Sequence, residues 1–236
     1  MLTPALASLI AACIFWLAIH LVIASSPLRW VLVGRIGDKG FRGVFSLLSL
    51  VGLVWLGWSY GEAEMPDSFY GLRLVEHWML WAPFVAMPLA LLLFVGSVTQ
   101  PNPTAVGGEA ILNSPMPAVA VLRITRHPML WAFALWAIAH LIAKGDLASL
   151  LFFGSVLLVA LNGMVSIDRK RARQDPEAWQ RFAAETSVVP FAAIVAGRNQ
   201  LVFGEIGLWR FAVALVAWVA LLVLHPLVFG VQAFPG

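Results

Sequence analysis

Six stretches of this chain are long, apolar and free of charge, and that recurrence limits the fold more than any other feature. They run at Leu6–Ala24, Val44–Tyr60, Trp78–Val98, Met129–Ala143, Leu147–Ile167 and Phe211–Phe229. A helix needs about 20 mostly apolar residues to cross the hydrocarbon core of a bilayer, so each is expected to span it. The fourth, with 15 uncharged positions, is short. Its start at Arg126-His127-Pro128 can lengthen it, because polar side chains at an interface snorkel. Charged residues make up 11% of the 236 positions and the mean hydropathy is +0.89, whereas a soluble domain carries about 25% charge. The expectation is an all-α polytopic membrane protein with about six transmembrane helices in one bundle, a single domain over residues 1–236. No basic residue precedes the first stretch, so the charged region of a signal peptide is missing and a retained helix is expected.

Loop charges orient the bundle. One set of loops holds Arg29, Arg35, Lys39 and Arg42, then Arg123 and Arg126, then the run from Arg169 to Arg173, with Arg181, Arg198 and Arg210. The opposite loops hold Arg73 and Lys144 beside Glu62, Glu64, Asp67, Glu76 and Asp146, a split of 13 basic residues against 2. The positive-inside rule places the basic loops in the cytoplasm and both termini outside, in the periplasm of a bacterial inner membrane. The net charge of +3 and pI near 9.5 belong to these flanking loops rather than to nucleic-acid binding. The single Cys13 excludes a disulfide framework, a CxxC zinc or thioredoxin site and covalent haem attachment through CxxCH.

Two connections have patterns of their own. After the cluster DRKRAR at Asp168–Arg173, the residues Trp179, Phe182, Ala183 and Thr186 fall on one helical face. This reads as an interfacial helix at the lipid headgroups, or as one closing a cytoplasmic cavity. Thr99–Pro117, rich in proline, reads as a surface loop. No internal repeat is evident.

Histidine within or beside the spans is the main chemical signal. His20, His140 and His225 lie inside apolar stretches, while His77 and His127 open the third and fourth. Ionisable residues in a membrane are costly and are functional candidates by default, and histidine is the usual holder of haem iron. Each also has a structural reading, as a hydrogen bond between helices or an interfacial group. That reading is favoured for His77 and His225, near span ends. At about 1.5 Å per residue, His20 lies toward the cytoplasmic side and His140 toward the outer side. Depth alone therefore pairs His20 with His127, and His140 with His77 or His225. A second signal is Arg123-Ile-Thr-Arg-His-Pro128, whose two arginines suit an anionic group such as a carboxylate, or serve as positive-inside anchors. No Ser-His-Asp set, Walker loop, HExxH or Rossmann glycine pattern is present.

At these residues the chain resembles the NnrU family, whose eukaryotic relatives include the 15-cis-zeta-carotene isomerases. The likeness covers nearly the whole chain. It rests on Ala18-Ile-His20 with Ala24-Ser25, on Gly37-Asp-Lys-Gly-Phe-Arg42 with Phe45-Ser-Leu-Leu-Ser49, and on Arg123-Ile-Thr-Arg-His-Pro128. It continues in Leu135-Trp-Ala-Ile-Ala-His140, Val188-Val-Pro-Phe-Ala-Ala-Ile194, Gly197-Arg198 and His225-Pro226. The resemblance implies non-covalent haem b with His20 and His140 as axial ligands, His127 and His77 as second-tier ligands or pocket residues, and Arg123 and Arg126 at the haem propionates. It implies an isomerase-like or redox-sensing protein linked to nitric oxide or nitrite metabolism, with the lipid bilayer, haem and a hydrophobic small molecule or a nitric oxide or nitrite reductase as partners. In the isomerase branch a cysteine stands three residues before the second histidine; here that position is Ala137. Two other readings stand beside this one. One is a non-catalytic accessory protein for reductase assembly. The other follows from a weaker likeness of RHP, a helical hairpin and a basic amphipathic stretch to the isoprenylcysteine carboxyl methyltransferases, which use S-adenosylmethionine; their acidic pair is replaced here by Ser166-Ile-Asp168-Arg169.

Overall fold

The computed structural model describes residues 3–63 and 75–234; Glu64, Asp67 and Arg73, expected in an outer loop, lie outside them. Among the described residues the chain is helical throughout, with no strand. Five helical segments among the described residues are long and apolar enough to cross a membrane: Pro4–Ala24, Leu28–Glu62, His77–Thr99, Leu147–Gln174 and Leu208–Phe229. The sixth, Pro128–Ala143, is the shorter apolar helix expected. Its 16 residues rise about 24 Å, short of a ~30 Å hydrocarbon core. It is also the helix held between two others, packing mainly on the segments before and after it, so its neighbours cover what length does not.

Local sequence explains the breaks. Helix α1 (Pro4–Leu17) starts on the Thr3 cap, whose hydroxyl accepts from Leu6 N–H, and continues as one π-helical stretch, Ala18–Ala24. The Ser25 hydroxyl then donates back to the His20 carbonyl at 2.8 Å and Ser26 to that of Val22, and Pro27 ends the run. Helix α2 (Leu28–Glu62) is longer than its apolar stretch. The residues holding Arg29, Arg35, Lys39 and Arg42, expected as loop, are helical, and the turn of direction is made inside α2 at Gly37 (φ 74°, ψ 163°). That conformation is open to glycine and strained for residues with a Cβ. Asp38 clasps the bend, bonded to Arg29 at 3.0 Å and to Arg42 at 2.6 Å.

Helix α3 (Trp81–Thr99) follows a 3-10 turn at His77–Leu80. A one-turn helix α4 (Val121–Ile124) precedes α5 (Pro128–Ala143), which begins with proline at its first position, where no N–H is needed. Helix α6 (Leu147–Gln174) is capped by Asp146, which accepts from Ser149 N–H at 2.7 Å. Its 28 residues rise about 42 Å, so DRKRAR is the end of a helix projecting past the bilayer core. Helix α7 (Pro176–Glu185) lies on the expected amphipathic segment. Its apolar face turns inward: Trp179 and Phe182 pack with Leu112, Ala118 and Leu122 of the α3–α5 connection, so α7 closes the basic end. Short helices α8 (Ala192–Val195) and α9 (Phe203–Ile206) lead to α10 (Leu208–Phe229).

The long helices pack mainly with neighbours in the order α2, α1, α6, α5, α3, α10. The largest apolar cluster joins α1, α2, α5 and α6 around Leu9, Cys13, Trp16, Leu56, Ala137 and Phe153. A second joins α3 to α5 around Leu93, Val121 and Ala132. The segment Thr99–Pro117, expected on the surface, is partly interior: Asn102, Thr104 and Leu112 are buried. A Cβ on Gly108 would stand 1.9 Å from the Asn102 carbonyl oxygen, so only glycine lets this loop double back. Gly108→Ala is expected to lower stability by about 2 kcal/mol through that overlap. Gly57→Ala, with open space around it, is the matched control, and thermal unfolding in detergent reads both.

Candidate functional site

His20 and His140 occupy equivalent settings on different helices. In each, Nδ1 lies against the carbonyl oxygen four residues earlier, Trp16 at 2.9 Å for His20 and Trp136 at 2.8 Å for His140. A carbonyl only accepts, so Nδ1 carries the proton and Nε2 is left with its lone pair. That tautomer is the metal-binding one, held as ligand imidazoles usually are held by a carbonyl behind them. The sequence contains the duplication: Trp16-Leu-Ala-Ile-His20-Leu21 and Trp136-Ala-Ile-Ala-His140-Leu141. No long repeat accompanies it: the signal is only a Trp and a His one helical turn apart. Each ring has aromatic walls. His20 is 4.1 Å from Trp16 and meets Phe45 of α2 edge-on at 5.3 Å. His140 stacks on Phe153 of α6 at 4.8 Å.

The two rings are not brought face to face. The Cys13 thiol donates to the Leu151 carbonyl, and Phe153, two residues past Leu151, stacks on His140, so His20, seven residues past Cys13, stands about five residues, roughly 7 Å, further toward the basic end. The pairings expected from depth fare differently. His127 is not beside His20; its Nε2 is bound to Asp168. His225 donates through Nδ1 to the Val231 carbonyl at 2.8 Å. His77 is exposed in its 3-10 turn. As donors His20 and His140 suit haem: each offers a bare Nε2 in an apolar, aromatic setting, and neither is ion-paired among the described residues.

The RHP motif makes a different structure, a buried polar clamp. Arg126 donates through Nε (3.0 Å) and Nη2 (2.7 Å) to Asp168 Oδ2, while His127 Nε2 meets Asp168 Oδ1 at 2.6 Å. The His127 side chain has 0% exposure, and its Nδ1 is buried with no hydrogen-bond partner among the described residues. The Thr125 hydroxyl and the Trp131 indole N–H both donate to the Val188 carbonyl at 2.7 Å, and the Arg126 guanidinium lies over Trp179. One carboxylate thus ties the start of α5 to the end of α6 and to α7. Asp168 was not a candidate from sequence; it lies more than 40 residues from its partners, within a run of basic residues.

Arg123 is equally engaged. It forks onto Glu205, with Nε and Nη2 each 2.7 Å from a carboxylate oxygen, and its Nη1 reaches Asn199 at 2.6 Å. Glu205 also accepts from the Ala120 N–H at 2.8 Å, holding Ala120 at φ 50°. The Arg123 fork keeps the Glu205 carboxyl below the usual carboxylate range, aided by the Ala120 N–H against some desolvation. A depressed carboxyl contributes stability above the unfolded glutamate pKa, about 4.3, and loses it as pH falls through its own lower value. Thermal midpoints of the native protein should therefore drop across that acid window. Those of Glu205→Gln should start lower and fall less steeply.

Comparison with known proteins adds the following. The sequence model of the family described as NnrU protein matches residues 8–233. The chloroplastic 15-cis-zeta-carotene isomerase of Zea mays is 37% identical over 83 residues, which cover 34% of this chain and 22% of that protein. The enzyme of the same description from Arabidopsis thaliana is 38% identical over 85 residues, again 34% and 22%. The match thus spans about a fifth of the length of these relatives. No solved structure matches.

Proposed function

The chain belongs to the NnrU family, and from that premise we propose that it is an isomerase-like membrane protein holding haem b through His20 and His140. The observation that carries the proposal is the duplicated Trp-x-x-x-His turn, in which a backbone carbonyl fixes each ring with Nε2 free. Haem held there would supply an iron whose ligation and oxidation state the protein tunes through these imidazoles. The remaining work is done by the chain. The Trp16 and Trp136 carbonyls set the tautomer and orientation, while Phe45 and Phe153 wall the rings and exclude water. The π-helical stretch Ala18–Ala24 loosens backbone pairing around His20, as such stretches often do at functional sites.

The proposed substrate is a hydrophobic small molecule entering from the bilayer. Ala137, where the isomerase branch carries a cysteine, is fully buried in the α1–α5–α6 cluster and offers no ligand atom. A link to nitric oxide or nitrite metabolism, and a bacterial inner membrane with the basic end in the cytoplasm, belong to the same proposal. Expression with haem supplementation, purification in detergent and optical spectroscopy test it. A Soret band at near-stoichiometric occupancy is expected, and folded protein without one overturns the reading.

A further inference from the structure

The turn from α1 to α2 and the projecting end of α6 enclose a cleft of about 260 Å³ that the haem proposal does not use. It is far larger than the ~30 Å³ share of one water, so a headgroup of several heavy atoms fits. Its walls carry Arg29, Arg169, Lys170 and Arg173, with Ser26, Asn162 and Ser166 as hydrogen-bonding side chains and no carboxylate. Arg29 is paired with Asp38. No carboxylate is in ion-pair contact with Arg169, Lys170 or Arg173 among the described residues: Glu109 is already bound by Arg171 at 2.8 Å and by Arg42 at 3.7 Å, and Asp168 by Arg126 and His127. Such a concentration of positive charge in a concave site calls for an anion.

We propose that this cleft binds the phosphate headgroup of an anionic lipid. Position selects a lipid over a free anion. Ala24 and Val165, at the ends of two spans, form the inner wall, so an acyl chain can run from the cleft along apolar helix surface. Trp30 stands at the rim, 53% exposed, between exposed Leu28 and Val31, an arrangement typical of residues anchored at the headgroup level. Unpaired cations just beyond the hydrocarbon edge attract anionic lipids.

Native mass spectrometry of the full chain with added dioleoylphosphatidylglycerol, dioleoylphosphatidylcholine or inorganic phosphate tests the site. The native protein is expected to retain phosphatidylglycerol and not phosphatidylcholine. The double variant Arg169→Gln/Arg173→Gln removes two exposed side chains and should weaken retention roughly tenfold or more. Arg35→Gln/Arg181→Gln removes the same charge away from the cleft and should retain the lipid like the native protein. Elution volume and thermal midpoint establish that each variant is folded. Equal retention by native protein and cleft variant overturns the proposal, as does an equal loss in the control, which would mean a diffuse basic field. Inorganic phosphate binding as tightly as the lipid would overturn the assignment to a lipid.

Discussion

Asp168→Asn is expected to destabilise the protein by about 3 kcal/mol or more, because it removes the one charge held between a fully buried imidazole and a mostly buried guanidinium. Arg126 and His127 have side-chain exposures of 14% and 0%, and Asp168 itself 20%. In the native protein a single carboxylate accepts from the Arg126 fork and from His127 together. Asparagine keeps the shape but presents one oxygen and one amide, so the guanidinium loses its counter-charge and one partner faces a donor. The contacts that depend on this geometry are the seat of α7 and the bonds from Thr125 and Trp131 to Val188. Urea or thermal unfolding in detergent should show the loss. Asp168→Glu should recover part of it only if the longer side chain finds the same oxygen positions. An unchanged midpoint for Asp168→Asn would mean that the clamp is dispensable.

His20→Ala and His140→Ala are each expected to abolish most haem retention or leave a five-coordinate spectrum, since each removes an iron–nitrogen bond from an apolar site. His77→Ala should leave the spectrum unchanged, because that ring is exposed. His225 is the informative comparison. It too has Nδ1 tied to a carbonyl and lies at the same end of the bundle as His140. If His20→Ala keeps a native spectrum while His225→Ala loses it, the iron is held at the outer end, and helix depth is the better guide to the ligands. His127→Ala should instead act on folding, through the Asp168 clamp, so spectra must be normalised to folded protein.

The spans were legible because a membrane demands little of pattern. Continuous apolar length suffices, and all six stretches fall in helices. Their ends were less legible. The segment from Arg29 to Arg42 looks like loop by charge, yet α2 runs through it with one break at Gly37, since long basic side chains tolerate helical backbone at an interface. The face of Trp179 and Phe182 was readable from its spacing, but not its direction; it turns toward Leu112 and Leu122, whose position depends on the doubling back at Gly108. Arg126 and His127 stood out in sequence, and Asp168 did not. Its two partners lie 41 and 42 residues away, and no local pattern encodes a pairing made across a helical hairpin.

The neighbour order of the helices has a consequence for how the molecule is completed. The face of α1 that carries Cys13 and Trp16 is sealed by α6, and the Cys13–Leu151 bond closes a separation of 138 residues. In a chain inserted from its N-terminus, α1 and α2 would present that face to lipid until α6 is made. Packed on α1, α2 and α5 alike, α6 is the late-made helix that would then join the two halves as the keystone of the assembly. A chain stopped after Ala143 would hold both Trp-x-x-x-His turns and still lack the wall against which His140 stacks.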